Sequence, residues 1–132
     1  MKVVAVDYGS ARTGVAVSDP TGTIARPLGV VERAAEEPGL KRLADLIRDE
    51  AADRVVVGLP LTLRGEHGAQ ARETEAFVEA LRAAVDVPVE SFDERFTTKL
   101  AQAEHDPAEP DDARAAAHLL SSYLEWSSAG RE

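Results

Sequence analysis

Two short apolar runs joined by an acidic glycine turn open the chain and constrain its fold more than any other feature. The first run, residues 3–6, leads directly into Asp7, and the second, residues 15–17, follows Gly14. Runs rich in β-branched residues are typical of buried strands, and a glycine-containing turn between two of them indicates a hairpin. The pattern therefore predicts two strands with the carboxylate of Asp7 at the tip. Taken alone, Asp7 could also serve only to bind the amides of its own turn.

The size and composition of the chain indicate one ordinary globular domain. Its 132 residues are 44% hydrophobic and 30% charged, which predicts a single domain over residues 1–126 and a disordered tail over 127–132. No apolar stretch approaches the roughly 20 residues needed to span a bilayer. The chain starts directly in a strand, without the pattern of a signal peptide, and it contains no cysteine. We therefore expect a cytoplasmic protein.

The net charge of −9 counts against a simple nucleic-acid binder, because such domains usually carry a basic face. A nuclease that gathers carboxylates around divalent ions can still be acidic overall while arginines line its groove. Without cysteine, any metal must be held by carboxylates or by histidines. The histidines, which are His67, His105 and His118, lack the spacing of a metal site. Oxygen ligands are therefore favoured.

The rest of the chain alternates between strand and helix patterns. Residues 23–31 predict a third strand near a sheet edge, because they contain Pro27. A helix with apolar positions between 40 and 51 leads to an unbroken apolar run at 54–58, which is typical of a strand buried on both faces. A second helix, a last strand ending at Phe92, a short helix capped by Thr97 or Thr98 and a final helix follow. The predicted fold is α/β, with three antiparallel strands and then two parallel ones.

Acidic residues are predicted to meet at one edge of this sheet. Asp7 and the pair Asp93 and Glu94 follow the carboxyl ends of strands, where open α/β sheets bind ligands. Asp111 or Asp112, at the start of the final helix, could reach the same edge. Such a patch suits Mg²⁺ or Mn²⁺ and predicts phosphodiester hydrolysis. The alternatives are local: helix capping for the aspartates at 111 and 112, and exposed ion pairs with Arg95 for the acids at 93 and 94.

Four segments of the chain carry a recognisable combination of motifs. They are residues 7–19 (DYGSARTGVAVSD), 56–61 (VVGLPL), 93–98 (DERFTT), and Asp112 with the helix pattern at 115–124. Together they resemble the YqgF/RuvX family of Holliday-junction-resolvase-like nucleases, in the family's order and over nearly the whole chain. The resemblance implies an RNase H-like fold, with a five-stranded mixed sheet flanked by helices, in a bacterial cytoplasmic protein. It also implies pre-16S rRNA, whose 5′ end is processed, or branched DNA such as Holliday junctions as substrate.

The resemblance also implies roles for individual residues. It implies that Asp7 is the central metal ligand and that Asp112 is the third. The second ligand is one acid of the pair Asp93 and Glu94, of which Glu94 is preferred. The implied ion is Mg²⁺ or Mn²⁺. Basic and hydroxyl side chains beside the acids are expected to contact phosphates; they are Arg12, Arg95, Thr97 and Thr98. Arg64, in the loop after residue 58, is expected to guide the nucleic-acid strand. Residues 104–111 depart from the family, because they are acidic where relatives are often glycine-rich and basic, which predicts weak, salt-sensitive binding.

Three classes of function remain open from the sequence. The first is a metal-dependent endonuclease in which water is the nucleophile. The second is an ATP-binding half-domain of the actin and sugar-kinase type, which also uses a strand, an Asp-x-Gly turn and a strand, although this chain has room for one such domain only. The third is a non-catalytic ribosome- or RNA-associated factor. A junction resolvase is expected to be a symmetric dimer, whereas a single cut in RNA requires no symmetry, so monomer and homodimer both stay open.

Overall fold

A mixed sheet forms the centre of the computed structural model, which describes residues 1–96 and 111–128. Its five strands lie in the order β3-β2-β1-β4-β5. The strands are β1 (Val3–Asp7), β2 (Arg12–Ser18), β3 (Ala25–Glu32), β4 (Arg54–Leu59) and β5 (Val89–Asp93). The described helices are α1 (Glu37–Asp49), α2 (Ala69–Ala84) and α3 (Asp111–Ser128), with a 3-10 turn over Glu94–Phe96.

The pairing of the strands confirms the predicted topology. β1 pairs antiparallel with β2, and β2 pairs antiparallel with β3. β4 is parallel to β1, and β5 is parallel to β4. β3 lies at the edge, as Pro27 predicted, because proline cannot donate a ladder hydrogen bond. β1 is the central strand, so its last residue, Asp7, lies in the middle of the edge where the carboxyl ends of β1, β4 and β5 meet.

The sheet is covered on both faces, which explains the unbroken apolar runs of β1 and β4. Side chains alternate along β1: Val4 and Val6 pack in the cluster that includes Leu43 of α1. Val3 and Ala5 point the other way, into the cluster formed with α3. Every residue of β1 before Asp7 is therefore buried. The fold places one polar side chain of this strand, Asp7, at the sheet edge.

The limits of several helices differ from the sequence predictions. α1 begins at Glu37, before the apolar pattern does, because Pro38 occupies the first turn, where proline is tolerated. α3 continues to Ser128, two residues past the predicted domain boundary at 126. The 3-10 turn after β5 was not predicted. The predicted helix capped by Thr97 or Thr98 lies outside the described residues, as do residues 129–132 of the predicted tail at 127–132. Among the residues that are described, no helix is long and apolar enough to cross a membrane.

Candidate metal and nucleic-acid site

Asp7 has a glycine beside it on each neighbouring strand. Its register partner on β2 is Gly14. On the other side Val6 pairs with Val57 of β4, so Gly58 is the next residue along. A glycine inside a strand often marks a place where another part of the protein approaches closely. The two glycines leave room on both sides of the Asp7 carboxylate for groups from β5 and α3.

Glu94 fills the space above Gly58. It is the first residue of the 3-10 turn that follows β5, and its Oε1 lies 2.6 Å from the position that a Cβ on Gly58 would take. The side chain also forms a hydrogen bond with Asp7. A hydrogen bond between two carboxyl groups needs a proton on one of them, and this bond lowers the pKa of Asp7 and raises that of Glu94. The structure therefore brings Asp7 and Glu94 into direct contact.

Burial and mutual repulsion perturb both acids. Burial raises the pKa of Glu94 to about 7, and the neighbouring charge of Asp7 contributes to the increase. Burial also raises the pKa of Asp7, while its hydrogen bond from Glu94 opposes the increase and the charge of Asp112 adds to it. Near neutral pH, Glu94 is thus protonated part of the time and donates to Asp7. A divalent cation could take the place of that proton and remove the repulsion.

Asp112 reaches the same edge from α3 and is held by Arg12. A Cβ on Gly14 would lie 1.8 Å from the backbone carbonyl oxygen of Asp112, so α3 begins directly against β2. The carboxylate Oδ2 of Asp112 lies 3.2 Å from Nε of Arg12. Its charge is close enough to raise the pKa of Asp7. Asp112 is therefore a neighbour of the two contacting acids, but its carboxylate is paired with an arginine.

Asp93 has a different environment from Glu94, although the two are adjacent in sequence. Both carboxylate oxygens of Asp93 accept hydrogen bonds from Nε of Arg95, at 3.1 and 2.9 Å. These bonds hold the pKa of Asp93 below its ordinary value. The ion pair with Arg95 that the sequence left open for both acids is thus formed by Asp93, whereas Glu94 turns towards Asp7.

The remaining predicted site residues, and the histidines that were not predicted as ligands, are more dispersed. Arg64 is exposed in the loop between β4 and α2. Arg12 has two thirds of its side chain exposed. His67 pairs with Glu75 of α2 at 3.5 Å, and His118 is half-buried in α3. Thr97, Thr98 and His105 lie outside the described residues, as does the side chain of Asp111.

The donors at the edge are suited to a hard divalent cation. Asp7 and Glu94 offer carboxylate oxygens from a partly buried position, which is the ligand type that Mg²⁺ and Mn²⁺ prefer. Within residues 1–96 and 111–128, no three acidic, histidine or cysteine side chains lie close enough together to hold one metal ion. Asp112, the third acid at this edge, is paired with Arg12. The chemistry of the donors thus fits the ion, with two of the three acids in contact.

Gly14 and Gly58 are the functional positions that the sequence analysis missed. Both lie inside the family motifs, at 7–19 and 56–61. The signal was available, because a glycine inside a β-branched run weakens a strand and calls for a reason. The structure shows the reason: the backbone of α3 packs against Gly14, and the side chain of Glu94 packs against Gly58.

Comparison with solved structures identifies the class of fold. The chain is similar to Thermus thermophilus RuvC, solved in complex with a Holliday junction substrate. The TM-score is 0.69 at 16% identity, and the match covers 98% of this chain and 96% of RuvC. The fowlpox virus Holliday junction resolvase matches with a TM-score of 0.53 at 16% identity, over 96% of this chain and 99% of the resolvase. The predicted RNase H-like fold is confirmed.

Comparison of sequences then gives the family. The model of the RuvX family, described as Holliday junction resolvase, matches residues 1–126. A relative from Rubrobacter xylanophilus is 47% identical, over 94% of this chain and 92% of the relative. A relative from Syntrophomonas wolfei is 34% identical, over 100% of this chain and 99% of the relative. Both relatives carry the name "Putative pre-16S rRNA nuclease". The chain belongs to the RuvX family, as the motifs predicted.

Proposed function

We propose that this chain is a divalent-metal-dependent endonuclease that hydrolyses phosphodiester bonds. The observation that carries the proposal is the contact between the carboxyl groups of Asp7 and Glu94, with Asp112 beside them. Two half-buried acids that repel each other are unfavourable for stability, and such costs are typical of functional sites. A bound cation would remove the repulsion between the two acids, which explains why they lie together.

Each residue of the site has a role in this proposal. Asp7 and Glu94 hold the ion, and Asp112 joins them when it leaves Arg12. When bound, Mg²⁺ or Mn²⁺ supplies an activated water and stabilises the charge that develops on the leaving oxygen. Arg12, freed from Asp112, can then contact a phosphate. Arg64, and Thr97 and Thr98 outside the described residues, remain proposed phosphate contacts. Asp93, which the family motif also offered as a catalytic acid, bonds Arg95 through both of its carboxylate oxygens, so we assign it no ligand role.

The substrate is proposed from the relatives. The names of the two relatives given above indicate pre-16S rRNA as the substrate, while the family description and the RuvC complex indicate Holliday junctions. Both substrates present a phosphodiester backbone to the same acids. We propose processing of the 5′ end of pre-16S rRNA, resolution of junctions, or both, by a cytoplasmic monomer or homodimer. Family membership favours these roles over the ATP-binding half-domain.

The proposal is tested by incubating the protein with a labelled pre-16S rRNA fragment and with a four-way DNA junction. Each substrate is offered with Mn²⁺, with Mg²⁺ and with a chelator, and Asp7→Asn is the matched control. We expect the parent protein to cut at least one substrate in the presence of metal and the variant to cut neither. Binding of a substrate without any metal-dependent cleavage would instead support the non-catalytic RNA-associated factor.

Replacing Arg12 is expected to strengthen the binding of metal and to weaken the binding of nucleic acid. Because its guanidinium is paired with Asp112, the substitution Arg12→Gln removes a positive charge that competes with a cation. We expect Mn²⁺ to bind about 3-fold more tightly, within the ~1 kcal/mol typical of exposed charge pairs. Nucleic-acid binding should weaken, and the slope of log K against log salt should fall in magnitude by about 1.

Calorimetric titration with Mn²⁺ and fluorescence binding at several salt concentrations measure these two effects. Arg48→Gln is the control, because Arg48 is similarly exposed and pairs with Asp45 on α1. That substitution should change neither quantity. Weaker Mn²⁺ binding by Arg12→Gln would show that Arg12 supports the acids rather than competing for Asp112.

A further inference from the structure

Arg95 makes contacts that connect β5 to the loop between β4 and α2. Its Nε lies 3.1 and 2.9 Å from the two carboxylate oxygens of Asp93. Its Nη1 donates to the carbonyl oxygen of Leu63 at 3.4 Å. The guanidinium also lies against Gly65, because a Cβ there would be 3.3 Å from Nη1. One side chain thus contacts the end of β5 and two residues of the loop.

The loop has its own hydrogen bonds, and the leucine at its tip is exposed. Thr62 and Glu66 close it through a backbone bond of 3.0 Å, and the amide of Gly65 donates to the carbonyl of Thr62 at 2.8 Å. Gly65 adopts a φ of +81°, a left-handed conformation that glycine tolerates without strain. Leu63 is 94% exposed, whereas Leu61, at the start of the loop, is half-buried. Burial of Leu63 therefore does not hold the tip of the loop, whose carbonyl oxygen at Leu63 accepts a hydrogen bond from Arg95.

The same ion pair closes the turn that contains Glu94. The backbone amide of Arg95 donates to Oδ1 of Asp93 at 2.9 Å, in addition to the side-chain bonds. Asp93 and Arg95 are therefore tied together on either side of Glu94 in sequence. This tie fixes the 3-10 turn, and the side chain of Glu94 lies over Gly58 and contacts Asp7.

We propose that Asp93 and Arg95 are a positioning pair that clamps the loop at residues 61–66 to the end of β5 and holds Glu94 over Gly58. This inference rests on the proposed nuclease function and deepens it. It gives Arg95 a role different from the phosphate contact that the family resemblance implied. Nη2 of Arg95 also donates to Asp93, so the pair has two donors. Such bidentate bonds between arginine and carboxylate are geometrically specific, and the pair sets the position of the acidic site relative to the exposed Arg64.

Four variants test the clamp: Arg95→Gln, Arg95→Lys, Asp93→Asn and the double variant Asp93→Asn with Arg95→Gln. The first measurement is hydrogen exchange of the backbone amides at residues 61–66 in the metal-free protein. We expect each single variant to speed exchange by at least about 5-fold, and the double variant to add little, because either change breaks the same contact. Arg48→Gln is the control and should leave the loop unchanged.

The second measurement is the kinetics of cleavage at several salt concentrations. A clamp predicts that kcat falls by about 10-fold or more in all four variants, because misplaced groups lose rate. KM and its salt dependence should stay near the parent values. Arg95→Lys should behave like Arg95→Gln, since lysine keeps the charge but not the planar fork.

A phosphate contact predicts a different pattern and would overturn the clamp. Arg95→Gln would then raise KM and weaken its salt dependence, Arg95→Lys would retain affinity, and Asp93→Asn would lower KM by releasing the guanidinium. Loop exchange would stay at the parent rate. If the parent protein cuts no substrate, the proposed function fails, but the exchange measurement still decides whether the pair clamps the loop.

Discussion

Replacing Asp7 with asparagine is expected to reduce phosphodiester cleavage by about 10³-fold or more while making the metal-free protein more stable. The rate falls because the amide removes a ligand charge from the centre of the site, and metal stabilisation of a transition state amounts to several kcal/mol. The stability rises because Asp7 is partly buried against Glu94 and is raised in pKa by burial and by Asp112. Asparagine keeps the shape and can donate a hydrogen bond to Glu94 without the repulsion.

The increase in the free energy of unfolding should be about 0.5–2 kcal/mol, as for other substitutions that relieve strain at functional sites. Thermal unfolding without metal measures it, and a second melt with Mn²⁺ should stabilise the parent more than the variant. Asp45→Asn is the matched control, since Asp45 is a half-buried acid on α1, away from the sheet edge, that pairs with Arg48. Cleavage by Asp7→Asn at the parent rate would refute the assignment of Asp7. A large fall in its melting temperature would show that the acid is structural.

The substitution Gly14→Ala is expected to cause the largest loss of stability. The added methyl carbon would lie 1.8 Å from the carbonyl oxygen of Asp112 and 3.0 Å from the amide nitrogen of Ala113. Both are backbone atoms of the first turn of α3, so no side-chain rotation relieves the clash. α3 must move as a unit, although its buried residues Ala116 and Leu120 pack against the sheet. We expect a loss of about 3–5 kcal/mol, in the range of the most damaging core substitutions.

Urea unfolding of Gly14→Ala beside Gly29→Ala measures this effect. Gly29 lies in β3, opposite Val15 of β2, and a Cβ there would meet no atom within 4 Å. The control should therefore change the free energy of unfolding by no more than about 1 kcal/mol. Equal stabilities for the two variants would mean that α3 does not begin against Gly14. The position of Asp112 beside Asp7 would then be wrong.

Much of the fold could be predicted because it depends on local patterns. The apolar runs on either side of residues 7–14 indicated the hairpin, and Pro27 indicated an edge strand. The unbroken run from Val55 to Val57 indicated a strand covered on both faces. Each of these signals depends on a few neighbouring residues. The order of the strands followed because two strands separated by a helix tend to be parallel.

The site could be predicted only in part, because its decisive contacts join residues distant in sequence. Asp93 and Glu94 are adjacent, and no local pattern distinguishes the acid that turns to Arg95 from the one that contacts Asp7. The choice depends on the unpredicted 3-10 turn and on the space above Gly58. The pairing of Arg12 with Asp112 likewise required α3 to dock on β2. The acids of the site could therefore be predicted from sequence patterns, whereas the partner of each acid depends on tertiary packing.

The central claim is that Asp7 and Glu94, with Asp112, form one cation site used for hydrolysis. Anomalous diffraction from crystals of the parent protein soaked in Mn²⁺ tests it most directly, because it locates the ion without relying on activity. The claim predicts a manganese peak bonded to carboxylate oxygens of Asp7 and Glu94, and no peak there in Asp7→Asn. Saturating Mn²⁺ that leaves Asp7 unliganded, or that collects at another set of acids, would contradict it.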